Sequence, residues 1–451
     1  MPKGDYRVPP GPRGLSLLRA TLELTRDPLG VFSRAASEFG DIVLIPFPWN
    51  HRLLLSNPDD IEQVFVLDQH KFHKGIILKE AGKHLLGNGL LTSEGEFWRR
   101  QRRLAQPAFH RPRIATYATT MVEFANLHLQ SWHDGEVRDL AAEMKDLTAA
   151  IAVKTLFGVE LKSEALGVSQ ALKLITRQEF RRLRSPLRMR WRRSNEAQKR
   201  LDEAYSHLNS IVFRIIEDRR ERAAQGDDLL SMLMNAVDED GGRMSPKQLR
   251  DEVMTLFLAG HETTALALAW SWFLLAENPR TELCLHEELA RFLAGRLPTL
   301  DDLEHLPYLN AVIQESLRLY PPAYAVGRTA IEPFQIKGYF FPAGLTVLAM
   351  QWVVHRSPRY FEKPDVFLPE RWLDGLAERL PHYAYFPFGG GPRRCIGQGF
   401  ALMEAALILA TIAQRYRFRL LPEQRVVPDP LVTLNAKYGI RMTLQERRPQ
   451  P

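Results

Sequence analysis

One cysteine is delivered by a run of residues that cannot be regular structure: Phe388-Gly389-Gly390-Gly391-Pro392-Arg393-Arg394-Cys395-Ile396-Gly397. Three consecutive glycines and a proline end any helix or central strand, so the run is a tight, shaped loop. The residues after it, Phe400 to Leu407, read as a helix start. Cys395 is thus expected at a helix N-terminus beside two guanidinium groups, where dipole and charge favour thiolate over thiol. The glycines leave space for a flat ligand against the backbone and expose N–H groups that can bond a sulfur anion. A thiolate presented this way suits a nucleophile or an axial ligand to a metal macrocycle.

Three further constellations carry chemistry. Ala259-Gly260-His261-Glu262-Thr263-Thr264 sets polar and ionisable residues in an otherwise apolar helix, which needs a reason. Threonine hydroxyls can bond carbonyls one turn back and Gly260 weakens the turn, so the helix is expected to open here into a groove for a small molecule and a water. Glu315 and Arg318 lie three apart on one helix face, a spacing that by itself is only a surface ion pair. Pro369-Glu370-Arg371-Trp372 follows later. Trp98 and Arg102 lie four apart on one face. A fourth cluster, Arg177, Arg181, Arg182, Arg184, Arg188, Arg190, Arg192 and Arg193 with Trp191, is by default a solvated face.

Helical periodicity dominates the elements that must position these groups. Asp27-Pro28 and Asn57-Pro58 open helices, with a hairpin between them over Asp41 to Phe47 and Arg52 to Leu55. Ile61 to Val66 continues the second. Helices are predicted over Glu94 to Phe109, Thr116 to Trp132, Leu140 to Phe157, Glu164 to Leu183, Asn195 to Ala224 and Asp227 to Val237. Ser245-Pro246-Lys247-Gln248 is a capping box that starts the longest apolar helix, ending near Ala276 before Asn278-Pro279. That helix is long enough to cross a whole domain. His261 and Glu262 at its middle argue for a buried core helix over a membrane span. Helices over Arg280 to Ala294 and Pro307 to Tyr320 follow, then strands over Phe334 to Ile336, Tyr339 to Phe341 and Thr346 to Ala349. An irregular stretch, the cysteine loop, a helix to about Arg415 and strands near Phe418 to Leu421 and Ile440 to Leu444 close the chain. The fold class is mostly α with a small β portion.

The chain has 451 residues, 45% hydrophobic and 25% charged, with no linker or composition break, which suits one large domain over 1–451. A formal net charge of +7 points to an acidic protein partner or a membrane surface, not to nucleic acid. Two cysteines, Cys284 and Cys395, fit a reducing cytoplasm, with Cys284 a packed, inert thiol. Met1 to Arg19 holds no apolar run that would span a bilayer.

The pattern F-G-x-G-x-R-x-C-x-G is matched at every specified position by Phe388, Gly389, Gly391, Arg393, Cys395 and Gly397. In this loop, and in the order of the other motifs from Trp98 onward, the chain resembles the cytochrome P450 family of haem-thiolate monooxygenases, in its soluble bacterial type and nearer the lipid-oxidising members. The resemblance implies the cytochrome P450 fold as a single haem-binding domain, with no fused reductase domain. It implies haem b with Cys395 as iron ligand, and Phe388, Trp98, Arg102, Arg393 and Arg328 about the haem, the last four at its propionates. Glu262 becomes the acid that relays protons and Thr263 the alcohol at the oxygen site, with Thr264 able to stand in for it. Glu315, Arg318 and Arg371 become a structural clamp. Leu256, Ala259, Ala323, Tyr324, Ala325 and Val326 become the substrate pocket, mostly small and apolar, for a fatty acid, terpenoid, carotenoid or steroid. The basic cluster falls at the family's lid over the substrate channel, where it would draw a carboxylate substrate or a peripheral membrane contact. Electrons would come from a separate ferredoxin or flavodoxin with its NAD(P)H reductase, docking on Arg102, Arg103 and Arg394. The protein is expected to be a cytoplasmic monomer. A peroxide-driven peroxygenase and a non-enzymatic haem sensor or carrier are the alternatives.

Overall fold

The computed structural model describes residues 7–24, 26–47, 50–75, 85–158, 171, 174–175, 178, 195–221, 228–238 and 241–447. The helices that matter for the site are α1 (Pro28–Phe39), α2 (Gly95–Ala105), α3 (Ala118–Leu129), α4 (Leu140–Phe157), α5 (Asn195–Glu221), α6 (Pro246–Glu277), α7 (Pro279–Leu293), α8 (Pro307–Leu319) and α9 (Gln398–Arg415). Twelve short strands are described: β1 (Ile42–Phe47), β2 (Asn50–Leu55), β3 (Phe72–Lys74), β4 (Val137–Asp139), β5 (Val326–Ala330), β6 (Phe334–Ile336), β7 (Tyr339–Phe341), β8 (Thr346–Ala349), β9 (Tyr416–Leu420), β10 (Pro428–Pro430), β11 (Leu434–Ala436) and β12 (Arg441–Glu446). The helix expected over Glu164 to Leu183 falls almost wholly outside the described residues, as does the basic cluster from Arg177 to Arg193 with Trp191.

α6 is the axis of the molecule. Its start is fixed by the capping box: Gln248 N–H donates to the Ser245 hydroxyl at 3.2 Å, and the Ser245 N–H donates to Gln248 Oε1 at 2.7 Å. Its apolar residues face inward all round, so Val253, Met254, Leu266, Leu268, Trp270 and Trp272 are all buried in one core with residues of α3, α4, α8 and α9. Each buried side chain of this size contributes about 1.5–3 kcal/mol. Trp270 stacks on Tyr320 at 4.2 Å and donates its indole N–H to the Leu434 carbonyl at 2.8 Å. Among the described residues no helix is long and apolar enough to cross a membrane.

The main sheet has the order β1-β2-β8-β5-β3, parallel only between β2 and β8. β4-β12-β9 form a second sheet, and β6-β7 and β10-β11 are two-stranded. Three details differ from the sequence expectations. β3, β4, β5, β10 and β11 were not predicted, because runs of three to five residues carry too little alternation to register. The helix expected to continue over Ile61 to Val66 widens instead into a π turn over Gln63–Leu67, where the Asp68 N–H reaches the Gln63 carbonyl at 2.7 Å. α6 does not open at Gly260: it stays helical throughout, and side-chain donors join the backbone ones at its carbonyls.

Candidate functional site

The cysteine loop is closed by its own backbone. Cys395 N–H donates to the Phe388 carbonyl at 3.0 Å, Gly389 N–H to the Phe386 carbonyl at 2.9 Å, and Arg394 N–H to the Gly391 carbonyl at 3.0 Å. Gly391 has φ of +64°, and a Cβ there would stand 2.2 Å from the Phe65 carbonyl, which belongs to the π turn. A Cβ on Gly390 would strike the Tyr383 ring, also at 2.2 Å. α9 begins at Gln398 with Gly397 as its N-cap, so Cys395 lies just ahead of the helix, and the Gly397 N–H bonds its sulfur.

The expected bias toward thiolate does not follow from these neighbours. Burial pushes the Cys395 thiol up and outweighs the Gly397 N–H, Arg102 and Arg394, which pull it down. Yet the same residue has accessible surface. The sulfur is thus packed on the protein side and open on the other to a ligand. Ionisation of this sulfur therefore calls for a cation at the sulfur itself, and metal coordination deprotonates a thiol outright.

Beneath the loop, Glu315 collects donors from three elements. Arg318 binds both its oxygens at 2.8 Å, the Arg371 Nε donates at 3.0 Å, the Trp372 indole at 2.8 Å and the Leu368 N–H at 3.0 Å. Glu315 and Arg318 have no accessible surface. Arg318 also donates to the carbonyls of His355 at 2.8 Å and Pro364 at 2.6 Å. His355 in turn accepts from the Phe386 N–H at 3.0 Å. The surface ion pair of the bare spacing is thus a buried clamp, which runs through His355 into the base of the cysteine loop.

Beside the loop lies a group of cations. Arg393 pairs with Glu94 and sets its guanidinium 4.2 Å over the Trp98 ring. Arg102 donates to the Arg394 carbonyl at 2.7 Å. Arg328, on β5, is buried and lies directly across from Lys74 in the β3–β5 register. Lys74 Nζ donates to the carbonyls of Leu90 at 2.6 Å and Ser93 at 3.3 Å and lies 6.0 Å from the Trp98 ring. Burial and the charges of Arg393 and Arg328 depress Lys74 to about 7, and burial with Arg393 brings Arg328 to about 10. Three of these cations, Arg393, Arg328 and Lys74, converge around Glu94, while Arg102 lies by Cys395. The next carboxyl, Glu252, is itself pushed up to about 7 by burial and has one oxygen without a partner. A buried excess of positive charge requires anions. The donor set and the accessible cysteine beside it fit a flat macrocycle bearing two carboxylates. Lys74 was not singled out in the sequence: only strand register brings it opposite Arg328.

On α6, Thr263 donates to the Ala259 carbonyl at 2.8 Å. Ala259 is exposed and Thr263 half-exposed at the middle of a largely buried helix, so this face is open to a ligand. Leu256, one turn earlier on the same face, is buried. His261 is buried; its Nδ1 bonds the Phe257 carbonyl at 2.8 Å and its ring stacks on Phe257. Thr264 does not share the Thr263 face. It is buried, donates to the Gly260 carbonyl at 3.2 Å and neighbours Glu404 of α9. Glu404 has no accessible surface and neither of its oxygens has a donor; burial pushes it up to about 8.

Glu262 lies 100° around the helix from Thr263. It faces Lys145 of α4 at 3.8 Å and lines a cleft of about 1930 Å³ with His261, Lys145, Trp352, Arg356 and Asn435. Cys395 and its loop do not line this cleft. Of the expected pocket residues, Ala323 and Val326 are half-exposed. Tyr324 is not free to face a ligand with its hydroxyl, which donates to the carbonyls of Leu431 at 2.7 Å and Pro430 at 3.2 Å; its ring and Ala325 pack on the cluster of Leu29, Phe32 and Val43. Phe388 is half-buried against the main core. Cys284 on α7 is half-buried against that core as well.

A family model described as cytochrome P450 matches residues 9–441. The chain is 38% identical to a cyclooctatin synthase of Streptomyces melanosporofaciens over 96% of its length and 94% of the relative's. It is 33% identical to a pentalenene oxygenase of Streptomyces avermitilis over 95% of each. Its fold is similar to that in a crystal structure of the cytochrome P450DA heme domain, with a TM-score of 0.88 and 26% identity, over 98% of this chain and 99% of that one.

Proposed function

The chain belongs to the cytochrome P450 family, and we propose that it hydroxylates a C–H bond of a terpenoid, drawing electrons from a separate ferredoxin or flavodoxin. It is a P450 monooxygenase with haem b as cofactor. The terpenoid assignment is supported by the names of relatives that act on cyclooctat-9-en-7-ol and pentalenene. The overall reaction takes O2, two electrons and two protons; one oxygen atom enters the C–H bond and the other leaves as water.

Haem bound here supplies the redox-active iron at which oxygen is reduced. Cys395 would hold it from the loop, with the Gly397 N–H tempering charge on sulfur. Trp98, Arg102, Arg393, Arg328 and Lys74 would bind its two carboxylates. Thr263, its proton committed to the Ala259 carbonyl, would offer its hydroxyl oxygen as an acceptor on the exposed face of α6. Glu262 would take protons from the cleft on the adjacent face of the helix and pass them inward. Leu256 and Ala259, with Ala323 and Val326, would give the substrate an apolar wall.

The observation that carries this reading is the division of α6: the alcohol on the exposed Ala259 face, the acid toward the cleft it shares with Lys145. A peroxide-driven reaction or a haem carrier has no use for that pair. The test is the absorption spectrum of the ferric, haem-loaded protein titrated with cyclooctat-9-en-7-ol, pentalenene and a long-chain fatty acid. The terpenoids are expected to drive the low-to-high-spin shift. A shift with the fatty acid alone, or turnover with peroxide that outpaces turnover with O2 and a reduced ferredoxin, would overturn it.

A further inference from the structure

Lys145 stands between two acceptors and sits unequally between them. Its ammonium donates to the Asn435 side-chain carbonyl at 2.7 Å and lies 3.8 Å from Glu262 Oε1. The first is a full charge-assisted hydrogen bond; the second is beyond hydrogen-bond range. Lys145 and Glu262 are both largely buried, so a direct contact between them would be a firm one.

Asn435 is itself held. Its Nδ2 donates to the Thr433 hydroxyl at 2.9 Å and the Thr433 carbonyl at 3.3 Å, which leaves the side-chain oxygen facing the lysine. The residue before it is clamped on two sides: Leu434 N–H donates to the Pro322 carbonyl at 2.9 Å, and the Leu434 carbonyl accepts from Trp270 at 2.8 Å. Asn435, Lys145 and Glu262 line the same cleft.

We propose that Asn435 is a positioning residue for the proton relay: it keeps the Lys145 ammonium back from Glu262, so that this carboxylate stays in a loose ion pair and can turn between cleft and helix. The proposal rests on Glu262 being the relay acid. A lysine stem is flexible and its charge compact, so an ammonium without the amide closes on the nearest carboxylate. Attraction then grows as the separation shrinks, and the carboxylate is tied down.

The experiment uses the haem-loaded full chain with a ferredoxin, its reductase and pentalenene as probe. Asn435→Leu is expected to slow oxygen consumption about tenfold and to enlarge the solvent isotope effect in D2O. Its crystal structure should show Lys145 Nζ to Glu262 Oε1 closed from 3.8 Å to about 2.8 Å. Asn435→Asp keeps an acceptor for the lysine, though it gives up the amide's donation to the Thr433 carbonyl; it should run at least as fast as the parent. On a Lys145→Ala background, Asn435→Leu should change the rate by less than about twofold, because the two act through one group. An additive loss on that background, or a lysine that stays back from Glu262 in Asn435→Leu, would overturn the proposal. Glu262→Gln separates the two readings. If it slows the reaction while Asn435→Leu does not, the positioning role alone fails. If it changes neither rate nor isotope effect, the relay role of Glu262 fails first.

Discussion

Arg102 and Arg394 meet back to back: the Arg102 guanidinium donates to the Arg394 carbonyl at 2.7 Å, while the Arg394 side chain is exposed and bonds Gln398 on the next turn, at 2.8 Å. Of the three arginines expected as a docking face, Arg103 and Arg394 are exposed and Arg102 is half-buried. Arg102 points inward, its guanidinium depressed by burial and held up in part by Cys395.

Arg394 remains the outward charge nearest the cysteine. Reversing it as Arg394→Glu is expected to slow reduction by an acidic ferredoxin about tenfold. The loss should shrink as salt is raised. Reduction by dithionite, a small reagent that does not need that face, should be unchanged. Stopped-flow reduction under carbon monoxide measures both.

Thr263→Ala is expected to leave haem content and the cysteine-ligated spectrum intact. The fraction of electrons released as hydrogen peroxide should rise several-fold, because the hydroxyl on the exposed face of α6 is gone. Thr264→Ala should leave that fraction near the parent value, since Thr264 bonds Gly260 and faces α9. Peroxide and product per NADPH decide it.

Lys74→Met keeps the length of the side chain and removes its charge. Haem should pass to apomyoglobin about tenfold faster than from the parent, and Lys74→Arg should recover most of the difference. Circular dichroism of the variants before and after haem loss checks that the fold survives.

Glu404 gives a signed pH effect. Its value in the fold, about 8, lies above the ordinary glutamate 4.5. The unfolded chain therefore releases that proton first. The favourable contribution is whole below about 4.5, falls as pH rises, and is lost above about 8. The loss is on the order of 4 kcal/mol. Glu404→Gln, neutral throughout, should flatten this part of the stability curve between pH 5 and pH 9, measured by denaturant unfolding.

Much of the site was legible because its signals are local. The glycines of the cysteine loop, the Ser245–Gln248 capping box and the spacing of Glu315 and Arg318 all act within a few residues, and each element formed where its own sequence asked for it. What escaped depends on distant chain. Lys74 meets Arg328 only through the register of β3 on β5, strands too short to announce themselves. Asn435 reaches Lys145 across 290 positions of sequence. Helix dipole and arginines beside Cys395 can be counted in a sequence, while the desolvation that pushes its thiol up cannot.

The Tyr324 hydroxyl is tied to the carbonyls at Leu431 and Pro430, on the same hairpin whose other strand carries Asn435. Tyr324 and the amide that holds Lys145 thus share one mechanical link. Replacing Tyr324 is expected to disturb the hairpin, and with it the placement of Lys145.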